Sequence, residues 1–430
     1  MSLLWCERAW LGGEAVESGV VVEIEAGRIA AVTRSAMPPP GAEELRGLVL
    51  PGLANAHSHA FQRVLRGRTQ RRRGSFWTWR EAMFAAAGEL TPDGYLELAT
   101  ATFAEMALAG ITLVGEFHYV HHGPDGRPYE NPNAMGEAVV AAAAAAGVRL
   151  TLLDTCYLHG GHDQPVDGFQ RRFADRDVDA WMRRVEALEA GSTARVGAAA
   201  HSVRALRPEE VSAVAAWSQA AGAPLHAHVS EQRRENEECL AAYGRTPVEL
   251  LAEAGCLETS FTAVHATHLT ESDQRLLGSS ESTCCLCPTT ERDLADGIGP
   301  ASRLAGAGAR LALGTDSNAV IDMFEEARAM ELDERLATET RVNQEPAALL
   351  RAATAGGYAA LGWEGGSIEP GACADLCVVE LGSVRLAGTE PDDPVPAVVF
   401  AAGATDVRDV MVDGRWVVRG GEHASVDVIR

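Results

Sequence analysis

The 430-residue chain contains no lysine; all 37 of its basic residues are arginine. That absence excludes a Schiff base, a lysine general base and a carbamylated lysine bridging two metal ions. Positive charge is scarce altogether. Sixty Asp and Glu residues leave a formal net charge of −23. That balance argues against nucleic acid or an anionic membrane as a partner, since both need a basic face. It also lacks an apolar run fit to span a bilayer. The longest such stretch, AVVAAAAAAGV, is short and alanine-rich and predicts a packed helix. In the opening MSLLWCERAW no basic segment precedes an apolar one, so the cytoplasm is the expected compartment. The nine cysteines are odd in number and spread over a large chain, which argues against a disulfide framework. Cys284, Cys285 and Cys287 have no matching second pair and are expected as free thiols of a buried strand. The arginine-rich segment 66–73, with Arg71, Arg72 and Arg73 together, is expected as a solvated loop.

The chain is rich in apolar residues, 47% of the total, with a mean hydropathy of −0.05. These values fit a soluble protein with a large core. Residues 1–50 read as short strands, with VVVEIEAGRIAAV alternating in part and Gly27 in a hairpin turn. The strand leading to His57 is followed by seven more: GITLVGEFHYV, VRLTLLDTCYL, ARVGAAAHSV, APLHAHVSE, FTAVHATHL, STCCLCP and RLALGTDSN. Amphipathic stretches such as PEEVSAVAAWSQAAG and TPVELLAEAG lie between them, with Pro, Ser or Thr at their starts and Gly beyond their ends. Eight βα units at this spacing predict a distorted TIM-like (β/α)8 barrel over 51–370. From 371 to 430 the pattern returns to strands: ADLCVVEL, AVVFAAG and VRDVMVDGRWVVRGG. Both chain ends are therefore expected to form one small β-sandwich domain beside the barrel.

Chemistry-bearing side chains recur at the strand ends. His57 and His59 are two apart, so on a strand both imidazoles face one way. His228 ends APLHAHV, His265 lies in FTAVHAT and Asp316 in LALGTDSN. The carboxyl ends of barrel strands share one rim, so these residues converge in space. Imidazoles and a carboxylate suit zinc, with iron or manganese also acceptable. The missing lysine favours a single ion. Glu231, three residues after His228, is a candidate for protonating a substrate nitrogen or relaying a proton from water, and His265 for taking that proton or polarising the attacked group. His226 and His268 are the alternatives within their own strands.

PGLANAHSHAFQ, GSFWTWRE, GEFHYVHH, HSVRA, HAHVSEQ, VHATHL, CPTTE and LGTDSN resemble the amidohydrolase superfamily, and within it the formimidoylglutamate deiminases. The resemblance spans nearly the whole chain. It implies zinc-dependent hydrolysis of N-formimino-L-glutamate to N-formyl-L-glutamate and ammonia in histidine degradation, and a homodimer. It implies His57, His59, His228 and Asp316 as metal ligands, with Glu231, His265 and Asp316 moving protons. Substrate contacts would fall to Gln62, Arg80, Tyr119, His201 and Arg204. Two arginines fit a dicarboxylate, since each guanidinium can grip one carboxylate by two parallel hydrogen bonds. A deaminase of purines, pterins or guanidino compounds is the competing reading, and a neutral ring would not need both arginines. A non-catalytic scaffold is a third, set against the full ligand set. The chain departs from the family pattern at segment 66–73 and at Arg292 and Asp293; these departures leave the metal site alone, and the resemblance does not fix fine substrate preference or loop shape there.

Overall fold

Alternating apolar residues form a leading hairpin of β2 (Val16–Glu25) and β3 (Arg28–Arg34), with Gly27 at φ +75° in its turn. β1 (Ser2–Trp10) pairs with β2, and β4 (Glu43–Pro51) pairs with β1. The computed structural model describes residues 2–71 and 73–427; Arg72 of the arginine-rich segment lies outside the described residues, and its neighbours Arg71 and Arg73 are exposed.

Eight parallel strands follow: β5 (Leu53–Ser58), β6 (Ile111–His118), β7 (Arg149–Cys156), β8 (Ala194–Ala200), β9 (Leu225–Val229), β10 (Phe261–His265), β11 (Thr283–Leu286) and β12 (Arg310–Leu313). Each pairs with its successor. The ring closes just beyond β12. Asp316 N–H donates to His57 O at 3.0 Å, and His59 N–H donates to Asp316 O at 2.9 Å. Thr315 N–H donates to the Asn55 side chain across the same seam. Three of the candidate ligands thus lie where the barrel is sewn shut.

Helices wrap the ring as the sequence signals predict. Ala134–Ala146 ends at left-handed Gly147, and Pro208–Ala221 at left-handed Gly222. Thr246 and Glu249 form a capping box on Pro247–Glu253. All nine cysteines are buried and free. Among the described residues no helix is long and apolar enough to cross a membrane.

The tail supplies β13 (Leu376–Val379), β14 (Val407–Val412), β15 (Arg415–Arg419) and β16 (Glu422–His423). With β1–β4 they make a second eight-stranded sheet, in which β13 pairs with β4. Its own core includes Leu4, Val20, Val22, Leu45, Leu376 and Met411. One tail segment departs from expectation: the first five residues of AVVFAAG lie in a helix, Val395–Ala401. Pro396 lies in its first turn, where a missing N–H costs nothing. Val395, Val398 and Val399 fall at i, i+3 and i+4 and are buried on one side. Arg328 of the Met323–Thr338 helix donates to the carbonyls of Phe400 and Ala402.

One buried ion pair ties barrel to sheet. Arg149 on β7 donates to Asp375 at 2.7 Å and to Asp413 at 2.9 Å, and Asp375 also accepts from the Tyr358 hydroxyl at 2.6 Å. Removing one partner leaves a buried carboxylate without its cation. Arg149→Met is therefore expected to lower unfolding stability by about 3–5 kcal/mol, measured by urea denaturation. Because the pair lies away from the strand-end rim, the native protein that remains should keep its metal content.

Candidate active site

At the carboxyl ends of the strands His57, His59, His228 and Asp316 converge. Asp316 Oδ1 lies 3.3 Å from His57 Nε2 and 3.4 Å from His59 Nε2, and the His57 and His228 Nε2 atoms are 3.3 Å apart. All four residues are buried. Backbone carbonyls fix two of the rings: His59 Nδ1 donates to Phe117 O, and His228 Nδ1 to His201 O, each at 2.9 Å. Each Nδ1 therefore carries the proton and each Nε2 presents a lone pair. Burial keeps the imidazoles neutral, pushing His57 down to about 3 and His59 and His228 below their ordinary range. Against its burial, the His57 hydrogen bond first, with His265 and His59 nearby, holds the Asp316 carboxyl below the carboxylate range. Lone pairs and a carboxylate converging at such distances repel unless a cation lies among them. The donor set fits one divalent ion of borderline softness.

Local backbone builds this rim. β5 is irregular, its register with β6 shifting between Asn55 and Ser58. Strand β10 turns sharply at its end. Val264 packs inside the barrel with Ala56, Cys285 and Ala312, so simple alternation would turn His265 outward. Instead His265 is left-handed at φ +68° and Ala266 at +50°. This strained turn brings the His265 ring back to the site, its Nε2 4.0 Å from Asp316 Oδ2 and 3.9 Å from Glu231 Oε1. Ser230, Asp316 and Asn318 are also left-handed non-glycine residues at this rim. Burial first, opposed by the nearby His265 and Arg204 charges, raises the Glu231 carboxyl to about 7. The alternative histidines point elsewhere. His226 lies 2.9 Å from Ala360 O, and His268 lies 2.7 Å from Asp296 O.

A tight cavity of about 50 Å3 opens over the ligands. Gln62, Arg80, Tyr119, His201 and Arg204 all line it, together with Glu231, His265 and Asp316. Gln62 donates to the Tyr119 hydroxyl at 2.9 Å. Arg80, Tyr157, His201 and Arg204 also border a roomier outer chamber of about 530 Å3, so they form the neck between the two. Arg80 stacks 4.9 Å over the Phe84 ring. Burial, with Arg204 nearby, lowers its pKa, while Tyr157 opposes the shift. For Arg204 the nearest carboxylate is Glu235, at 3.9 Å, and its Nε has no hydrogen-bond partner. Two under-compensated cations thus face a small cavity whose other walls include Phe76, Trp79, Met83, Phe84 and Phe173.

Sequence reasoning missed Tyr157, Glu291 and Asp296. Tyr157 directly follows β7, so its place at a strand end was the available signal. Glu291 closes the CPTTE motif and reaches His265, whereas its neighbours turn away. Arg292 pairs with Asp333 and Glu325, and Asp293 accepts from Gln70. The departures at Arg292 and Asp293 therefore fall outside the cavity lining. Asp296 accepts from Gln232, next to Glu231. A separate grouping of His118, His121 and Asp154 lies in the layer outside the ring. There Asp154 is already gripped by Arg184 and Trp181, a self-contained polar knot.

Residues 48–417 match the model of the amidohydrolase family. The formimidoylglutamate deiminase of Pseudomonas aeruginosa is 39% identical over 438 residues, covering 99% of this chain and 96% of the relative. A 5-methylthioadenosine/S-adenosylhomocysteine deaminase of Natronomonas pharaonis is 28% identical, covering 95% and 90%. Among solved structures, an amidohydrolase from Brucella melitensis superposes with a TM-score of 0.91 at 34% identity, over 99% of this chain and 96% of that one. An adenosine deaminase from Xanthomonas campestris with bound zinc gives 0.86 at 25% identity, over 99% and 95%.

Proposed function

The chain belongs to the amidohydrolase family, and from that premise we propose that it hydrolyses N-formimino-L-glutamate to N-formyl-L-glutamate and ammonia, with one zinc ion per subunit, in histidine degradation. The observation that carries the reading is Arg80 and Arg204 together at the neck of a cavity floored by a three-histidine, one-aspartate donor set. The near full-length likeness to a formimidoylglutamate deiminase supports it. A purine or other neutral ring carries no carboxylate to compensate two half-buried guanidiniums.

His57, His59, His228 and Asp316 would hold the zinc. When bound, it supplies Lewis acidity and lowers the pKa of a water to roughly 7. The inner cavity suits the formimino head; the carboxylates stay at the neck with Arg80 and Arg204. Gln62, Tyr119 and His201 offer the remaining hydrogen bonds. Water adds to the formimino carbon, the C–N bond to the terminal nitrogen breaks, and that nitrogen leaves as ammonia. Asp316 and His265 border the reacting carbon and take the proton from the attacking water. Glu231, its carboxyl raised to about 7, carries a proton in part of the population at neutral pH and passes it to the departing nitrogen. Glu231→Gln is accordingly expected to lower kcat by about 10²–10⁴-fold. KM and zinc content should stay within a few-fold; a variant turning over at half the parent rate would remove Glu231 from this role.

The direct test is ammonia release from N-formimino-L-glutamate, with the organic product weighed by mass spectrometry. N-formylglutamate is the expected product. Formamide plus glutamate would mean that a different bond is cleaved, and ammonia from a purine alone would overturn the reading. The proposal also carries a cytoplasmic homodimer. Exposed Leu332, Leu336 and Val342 near the end of the Met323–Thr338 helix offer an apolar face for it, and light scattering would read the mass.

A further inference from the structure

Glu291 is a buried carboxylate that the mechanism above does not use. It sits in the Pro288–Leu294 helix that follows β11, and its side chain is only 4% exposed. Its Oε1 accepts from Cys287 N–H at 2.9 Å and lies 3.3 Å from His265 Nδ1. Among the described residues His265 is its one ion-pair partner. The ring of His265 is therefore held between two sides. Nδ1 faces Glu291, while Nε2 faces the site, with Glu231 and Asp316 at 3.9 and 4.0 Å.

We propose that Glu291 is a positioning residue that fixes the tautomer and the ring direction of His265. The inference rests on the deiminase reading insofar as His265 takes a proton there. A buried carboxylate only accepts hydrogen bonds, so His265 Nδ1 must carry the hydrogen. When the ring is neutral, its Nε2 then presents a lone pair toward the water side. With the opposite tautomer, Nε2–H would face Asp316 and Glu231 and could take no proton. A carboxylate behind a proton-transferring histidine serves the same purpose in serine hydrolases, where its loss leaves the wrong tautomer. The demand on such a partner is high here, because His265 is held by a left-handed turn that simple strand alternation does not support.

Cys287 N–H selects what a substitution can do. In Glu291→Gln the amide oxygen is kept toward Cys287 N–H, since the NH2 group would meet another donor. That oxygen can still accept from His265 Nδ1. Glu291→Ala loses both contacts. With zinc loaded, Glu291→Ala is expected to lower kcat by roughly 10²-fold or more, and Glu291→Gln by about tenfold or less. KM and zinc content should remain within threefold in both. Long-range proton–nitrogen correlation spectra of histidine-labelled protein read the tautomer directly, with His265 assigned by comparison with His265→Asn. The Nδ1-protonated signal should persist in Glu291→Gln and be lost in Glu291→Ala. If Glu291 only caps its helix, Glu291→Ala lowers Tm while kcat and the His265 signal stay as in the parent, and the proposal fails. Should the parent release no ammonia from formiminoglutamate, the proposed function has failed instead, and the spectra still decide the place of Glu291.

Discussion

Replacing Asp316 with asparagine is expected to abolish turnover, with kcat/KM reduced by about 10⁴-fold or more, and to strip the protein of metal. Asparagine is the informative choice because residue 316 is left-handed at φ +43°, a region Asn tolerates well. The backbone bonds that close the barrel, Asp316 N–H to His57 O and His59 N–H to Asp316 O, do not involve the side chain. Shape and seam should survive, so the change isolates one negative charge. That charge is the only anion among the four inferred ligands, and its oxygen lies 3.3 and 3.4 Å from two imidazole nitrogens. Without it the ion would face three neutral rings, and His265 would lose one carboxylate neighbour at 4.0 Å. Elemental analysis and ammonia release measure the two effects separately. A folded Asp316→Asn protein retaining a full zinc equivalent would remove Asp316 from the ligand set. One with zinc lost but turnover kept would remove the metal from the reaction.

The legible part of this site was what strand periodicity and strand ends dictate. Eight apolar strands at regular spacing predicted the barrel, and His57, His59, His228 and Asp316 met because such ends share a rim. Periodicity stops being informative where the backbone leaves its regular state. His265 reaches the site through a left-handed turn, an orientation that alternation from Val264 would have reversed. The His57–His59 pair straddles a register shift in β5 and a seam made with residue 316, a contact across some 260 positions that no local pattern encodes. AVVFAAG was misread for a related reason. Its run of apolar residues fits strand and helix alike, and only the packing of three valines beside the Met323–Thr338 helix decides between them. Glu291 and Tyr157 were missed because a carboxylate or phenol beside a strand end is unremarkable until a partner is placed opposite.

Arg204→Met carries the other large effect, and it bears on substrate rather than on metal. The Arg204 side chain is 13% exposed, its Nε has no partner, and its nearest carboxylate is 3.9 Å away. Arg80 is similarly under-compensated; it stacks on Phe84 and has no ion-pair partner among the described residues. Burying two guanidiniums side by side is costly unless an anion completes them. A dicarboxylate substrate supplies two. Losing one grip should raise KM for formiminoglutamate on the order of 10²-fold, equivalent to ~3 kcal/mol, with kcat within about tenfold of the parent. The sharper reading comes from a formimino amino acid that keeps the α-carboxylate but has an uncharged side chain. If Arg204 holds the distal carboxylate, the parent enzyme discriminates strongly against this analogue and Arg204→Met does not. If it holds the α-carboxylate, Arg204→Met weakens both substrates alike, and the loss of discrimination moves to Arg80→Met. A purely internal role, neutralising Glu235, predicts something different again: Glu235→Gln would then restore KM in the Arg204→Met background. That rescue would sink the assignment of Arg204 to substrate, whereas its absence leaves an unpaired cation at the neck whose missing partner is the substrate itself.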